Sequence, residues 1–226
     1  MGGTLIDEAI DRIKEVTSLL LLQMGAIRIN LDQPFRLVSG NYSPIYVNCR
    51  QAISRPTFME IYVAYASMIC ERKGIQVDVV AGGETAGIAF AAYFAQSKSL
   101  PMVYVRKASK DHGLTGLVEG SLAAEAKVLL VEDLITDAQS KLQFVDSIHA
   151  CGGVVKDVFV LFDRLQGGSL ALEKHGIELH ALTNMTSVLA VASQTEHLSE
   201  RELQSVNEYL AAPKEWHSKH GLPYHA

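Results

Sequence analysis

Two adjacent carboxylates, Glu132 and Asp133, follow the apolar run VLLV at 128–131, and Leu134, Ile135, Thr136, Asp137, Ala138, Gln139 and Ser140 then lead into a new amphipathic segment. A lone acidic pair at this place is usually the solvated end of a strand. The same pair can also accept hydrogen bonds from vicinal hydroxyls, while a turn entering a helix offers backbone N–H groups that suit a phosphate. Hydroxyls and phosphate held side by side describe a ribose 5-phosphate.

Two other loops carry residue types of interest. Gly82, Gly83, Glu84, Thr85 and Ala86 follow the apolar VDVVA. They read either as a tight turn or as bare backbone that a diphosphate can approach closely. Arg106, Lys107, Lys110 and His112 fall within seven residues, ahead of Gly113 and Gly116. A mobile, solvated loop is one reading. The other is a flexible set of cations that closes over a polyanion and neutralises charge developing on a leaving group.

These loops need a frame that brings them to one edge. Residues 4–24 place Leu5, Ala9, Ile10, Ile13, Val16 and Leu20 at helical spacing, predicting an N-terminal amphipathic helix. Residues 26–48, broken by Pro34, Gly40 and Pro44, read as short irregular strands forming a small hood. From residue 55 helices and strands alternate: helix 56–72, strand 77–82, helix 85–97, strand 102–106, strand 127–133, helix 139–150, strand 154–163, a helix, and strand 177–182. Short apolar strands alternating with helices predict an α/β fold, a central parallel sheet flanked by helices. Ligands in such sheets bind beyond the carboxyl ends of the strands, where all three loops emerge. One domain over 1–226 is expected, with helix and hood in 1–54, the α/β core in 55–198, and a last helix (200–210) and mobile end in 199–226.

A net charge of -5 and a pI near 5.9 argue against a nucleic-acid partner. Cys49, Cys70 and Cys151 are far apart and form no C-x-x-C, so packed thiols are expected rather than disulfides or zinc. The opening residues lack the basic stretch of a secretory signal and the LLLLQM run at 19–24 is too short to span a bilayer, giving the expectation of a cytoplasmic chain with no membrane partner. His149, His175 and His180 read as surface or satisfied core positions. His217 and His220 read as residues of a solvated tail, which Trp216 pins to the body.

Beyond these readings, the chain resembles the type I phosphoribosyltransferases, and more narrowly the orotate phosphoribosyltransferase family. VLLVEDLITDAQS is similar to the family's phosphoribosyl-pyrophosphate motif, VRKASKDHG to its R-K-x-x-K-x-H-G catalytic loop, FRLVSGNYSPIYVNCR to its S-G-x-x-S-P-x-Y signature, and FDRLQGG to the segment supplying an arginine to the orotate carboxylate. The resemblance implies the type I phosphoribosyltransferase fold and transfer of the phosphoribosyl group to orotate N1, with Mg²⁺ as cofactor. It implies that Glu132 and Asp133 hold the ribose hydroxyls within a substrate-binding stretch of 132–140, that Thr136–Ser140 take the 5-phosphate, and that Arg106, Lys107, Lys110 and His112 contact pyrophosphate. Lys110, with His112 and Asp133, would be catalytic. Ser39, Tyr46, Thr136 and Arg164 would surround orotate, Gly82, Gly83, Glu84, Thr85 and Ala86 would line the pyrophosphate and the base, and a homodimer would share the basic loop. The alternatives are transfer to another base, or a non-catalytic sensor of phosphoribosyl pyrophosphate. Two departures stand out. Val38 replaces a lysine that many relatives carry. The usual Gly-rich turn is here Asp137-Ala138-Gln139, where alanine resists φ > 0 and the acid is expected to face outward or to meet a cation such as Lys141.

Overall fold

The computed structural model describes residues 2–37, 39–107 and 114–225. In chain order, α1 (Gly2–Gln23) leads into β1 (Ile27–Ile29), β2 (Phe35–Arg36), β3 (Tyr42–Ser43) and β4 (Ile45–Val47), then a 3₁₀ segment, Cys49–Ser54. The core runs α2 (Pro56–Lys73), β5 (Val79–Gly83), α3 (Ala86–Lys98), β6 (Met102–Val105), β7 (Val118–Glu119), β8 (Lys127–Ile135), α4 (Gln139–Ala150), β9 (Val154–Asp163), α5 (Gly168–Glu173), β10 (Glu178–Asn184) and α6 (Met185–Gln194). The chain ends in α7 (Glu200–Ala211) and α8 (Pro213–Lys219).

Among the described residues, six strands form one sheet in the order β10-β9-β8-β5-β6-β7, parallel except for β7. Its central strands are apolar on both faces because both are covered. α1, α2, α3 and α6 bury Leu21, Tyr62, Phe90 and Val188 against one face. The other face packs Phe144, Val145 and Ile148 of α4 and Leu172 of α5. Local chemistry sets the ends of these helices. α2 starts with Pro56 at its first turn and stops at Gly74 in the left-handed region, φ 68°. α7 is opened by a capping box between Ser199 and Glu202. The hood consists of two small antiparallel pairs, β1 with β4 and β2 with β3.

Three expectations need correction. Strand β8 does not end at the acids but continues to Ile135, because it stays paired with β9 through Glu132↔Val160, Leu134↔Phe162 and Ile135↔Asp163. Its pairing with β5 stops at Gly82↔Val131, so beyond Val131 one edge of β8 is open. The basic loop is the connection of a β6–β7 hairpin, closed by Arg106 N–H donating to Leu117 O at 2.9 Å, a return too short and polar to read from its composition. The tail is not a mobile end after one helix. α8 buries Trp216 and His217, and Trp216 Nε1 donates to Ser205 Oγ at 3.0 Å.

Candidate active site

The open edge of β8 forms the back of a cleft. Arg50 from the 3₁₀ segment, Glu84, Thr85 and Ala86 after β5, Lys107 after β6, Glu132 and Asp133 of β8, and Ser140, Lys141 and Phe144 of α4 surround a cavity of about 130 Å³. Parts of all three loops singled out in the sequence therefore meet here. Lys110 and His112 lie outside the described residues, as does Val38.

The acids are only 5% and 7% exposed. Glu132 Oε2 pairs with Lys141 Nζ at 3.1 Å, while Oε1 has no hydrogen-bond partner among the described residues. Burial pushes the Glu132 carboxyl up to about 7, with the Lys141 ammonium pulling the other way and Asp133 adding to the rise. The carboxylate fits because Gly83 and Gly87 have no side chain: a Cβ on either would collide with Oε1. Asp133 differs in its partners. Its Oδ1 accepts from Leu134 N–H at 2.8 Å and its Oδ2 has Arg50 Nε at 3.9 Å. Leu134 and Ile135 are strand residues, with the Ile135 side chain wholly buried and its carbonyl accepting from Arg164 N–H at 3.1 Å.

The turn after β8 overturns one expectation and bears out another. Ala138 does adopt the left-handed region, φ 69° and ψ 0°, immediately before α4. The strain of about 1–2 kcal/mol is offset by burial of its methyl group in the core beneath α4. Asp137 is exposed, as expected, but its partner is not Lys141. Its Oδ1 accepts from Gln139 N–H at 3.1 Å, so one amide of the turn is already capped by an anion. Lys141 turns inward to Glu132 instead, a placement that the helical pattern of 139–150 did not signal because lysine normally marks the solvent face.

Across the cleft, Glu84 Oε2 accepts from Lys107 N–H at 2.8 Å, and the Glu84–Thr85 peptide is cis. Gly82 packs so closely on α3 that an added Cβ would stand 2.8 Å from Gly87 O. Arg106 serves the hairpin stem: Nη2 donates to Gly116 O at 2.7 Å and Nε lies 3.3 Å from Glu119 Oε1.

The four residues expected around a base are partly brought together. Arg164 is desolvated, which lowers its pKa, and its electrostatic neighbours are Tyr209, Cys49 and Tyr46. Its Nε has no hydrogen-bond partner among the described residues. Tyr46 packs against Phe35 in a tilted pair with ring centroids 5.5 Å apart, and Arg28 lies over both rings. Thr136 is half-buried at the top of the turn, whereas Ser39 is exposed on the hood loop, its Oγ accepting from Asn41 N–H at 3.4 Å. The C-terminal segment backs this half. Tyr42 N–H donates to His217 Nε2 at 2.9 Å, and Asn41 bonds both backbone groups of His225, at 2.7 and 2.8 Å. Sequence reasoning missed Arg50, Lys141, Phe144, Tyr209 and His217. Only Arg50 carried a signal, as the last residue of the hood motif. Away from the cleft, buried His180 pairs with Asp157 at 2.8 Å, and no helix among the described residues is long and apolar enough to cross a membrane.

Known proteins are similar in sequence over nearly the whole chain. Orotate phosphoribosyltransferase from Rhizobium meliloti (strain 1021) is 39% identical over 211 residues, covering 92% of this chain and 91% of the relative. The chain belongs to the orotate phosphoribosyltransferase family. The family's protein from Jannaschia sp. (strain CCS1) is likewise 39% identical, with 92% of each chain covered. Orotate phosphoribosyltransferase from Aeropyrum pernix superimposes with a TM-score of 0.70 at 25% identity, over 78% of this chain and 98% of that one. Leishmania donovani UMP synthase shares the fold with a TM-score of 0.76 at 22% identity, this chain covering 42% of that longer one. No family model matches the sequence. The fold is that of the type I phosphoribosyltransferases, as the sequence predicted.

Proposed function

We propose that the cleft transfers the phosphoribosyl group of phosphoribosyl pyrophosphate to orotate N1, giving orotidine 5-phosphate and pyrophosphate in pyrimidine synthesis. Beside family membership, one observation supports this most. The acids, the α4 turn and Lys107 are grouped on the open edge of β8, which places acceptors for hydroxyls beside donors for two anionic groups.

In this reading Glu132 and Asp133 orient the ribose rather than act as bases. The amides between Thr136 and Ser140, less the one capped by Asp137, take the 5-phosphate. Lys107 and the loop residues Lys110 and His112 meet the pyrophosphate, joined by Arg106 if loop closure releases it from the hairpin stem. As the bond to the anomeric carbon breaks, charge accumulates on the departing diphosphate, and the Lys110 ammonium would neutralise it. Arg164, half-buried and with no hydrogen-bond partner at Nε among the described residues, is suited to the orotate carboxylate, with Tyr46 beside it. Closure of the loop excludes water and limits hydrolysis. Mg²⁺ fits a cleft with an available carboxylate, since it is commonly held by one or two carboxylates together with substrate phosphates; Asp133 has its nearest ion-pair partner, Arg50, at 3.9 Å. When bound, the ion would neutralise diphosphate charge. A homodimer sharing the basic loop, and a cytoplasmic location, complete the proposal.

The test is to mix the chain with orotate, phosphoribosyl pyrophosphate and Mg²⁺ and follow loss of orotate absorbance, with a metal-free control and adenine, guanine and uracil as competitors. Metal-dependent loss that the other bases do not compete away is expected. Consumption of another base instead, or binding of phosphoribosyl pyrophosphate with no transfer, would contradict the reading.

A further inference from the structure

Lys141 is the feature of the cleft that this assignment leaves unused. Its side chain is only 10% exposed, yet it ends in the cavity beside Glu132 and Ser140. Nζ lies 3.1 Å from Glu132 Oε2 and 3.3 Å from Ser140 Oγ. An ammonium group has three N–H donors and no acceptor, so these two partners leave one donor for a ligand. The other two cations lining the cavity, Arg50 and Lys107, are exposed to solvent. Lys141 is therefore the desolvated positive charge among the described cavity residues.

A buried ion pair is weak ground for stability, because the cost of desolvating both charges can exceed their attraction, and apolar residues of similar volume often serve as well. Phe144, one turn further along α4, shows that this face of the helix accepts an apolar side chain. The neighbouring turn supplies a reason for a cation instead. Asp137 adds a negative charge and occupies Gln139 N–H, weakening a turn that must hold an anion.

We propose that Lys141 is a substrate-binding residue, its free N–H donating to the 5-phosphate side of the phosphoribosyl group and restoring the donor and the charge that Asp137 removes. This inference rests on the reading of the cleft as the phosphoribosyl site. Ser140 belongs to the phosphate turn and Glu132 to the ribose hydroxyls, and Nζ sits between them, where the 5-carbon of the sugar joins the two groups.

The experiment measures ribose 5-phosphate and inorganic pyrophosphate binding by titration calorimetry for wild type, Lys141→Met, Lys141→Arg, Glu132→Gln and the double variant Glu132→Gln/Lys141→Met. Thermal melts select a temperature at which every variant is folded. Losing a charge-assisted hydrogen bond predicts that Lys141→Met weakens ribose 5-phosphate binding about tenfold or more. Pyrophosphate binding changes less than about twofold, and Lys141→Arg recovers most of the loss. The loss persists in the Glu132→Gln background, which separates direct contact from an effect through the Glu132 charge. Unchanged binding in Lys141→Met, an equal loss for pyrophosphate, or no loss in the Glu132→Gln background would each overturn the role of Lys141. Failure of the wild type itself to bind ribose 5-phosphate would overturn the site reading, and this inference with it.

Discussion

In the proposed function the phosphoribosyl half of the cleft is a short stretch of chain, Glu132 to Phe144, set on a strand edge that β5 leaves open, whereas the base half would draw on Ser39 to Cys49, Arg164, Tyr209 and His217. The first half is governed by local backbone geometry and by two buried charges. The second depends on long-range packing, with α7 and α8 standing behind Arg164 and the hood loop. Tyr209 meets Trp216 edge-on at 5.3 Å, and the adjacent His217 holds the Tyr42 amide, so one C-terminal segment supports both walls. Damage to the two halves should therefore separate into phosphoribosyl-pyrophosphate effects and orotate effects.

The largest expected effect falls on neither half's affinity. Lys110→Ala is expected to lower kcat by on the order of a hundredfold or more, with little change in phosphoribosyl-pyrophosphate binding; steady-state rates and equilibrium titration would check both, and an unchanged kcat would remove Lys110 from the reaction. Gly87→Ala attacks the phosphoribosyl half. Its Cβ would collide with Glu132 Oε1 and stand 2.6 Å from Val131 O, so a destabilisation of about 1–3 kcal/mol and a raised KM for phosphoribosyl pyrophosphate are expected from denaturant melts and kinetics. His217→Ala attacks the base half. Leaving Tyr42 N–H unsatisfied should cost about 1–3 kcal/mol and raise KM for orotate more than for phosphoribosyl pyrophosphate, while His217→Gln, which keeps an acceptor, should be milder.

Glu132 also gives its half a pH signature. The folded carboxyl, raised from 4.5 to about 7, holds its proton where the unfolded chain has released it. Its stabilising contribution is thus fully present below about 4.5 and is lost as pH rises to about 7. Glu132→Gln should reduce the fall in stability between about pH 5 and about pH 8 by on the order of 1–3 kcal/mol, as read from melts across that range. An unchanged slope would place the titration elsewhere. The smallest effect is expected at the turn, where Ala138→Gly relieves a left-handed alanine but gives up a buried methyl, for a net gain below about 1 kcal/mol in a thermal melt.

The same division explains what could be read from the chain. Alternating apolar strands and helices, and the loops after VDVVA, MVYV and KVLLV, are local signals, and the parallel sheet and the acid pair followed from them. The extension of β8 past the acids was hidden because it depends on where β5 stops, a property of the neighbouring strand. Lys141 was hidden because helical periodicity assigns lysine to solvent, and only the Glu132 carboxylate makes an inward course favourable. In the tail, WHSKHG has the composition of a solvated end. Its order comes from Ser205 and Tyr42, 11 and 175 residues away in sequence.

A crystal structure with phosphoribosyl pyrophosphate, orotate and Mg²⁺ bound would locate the sugar phosphate. Ribose hydroxyls are expected on Glu132 and Asp133, the 5-phosphate on the amides of 136–140, and the orotate carboxylate at Arg164. A 5-phosphate bound away from that turn, or an orotate that leaves Arg164 without a partner, would contradict this placement.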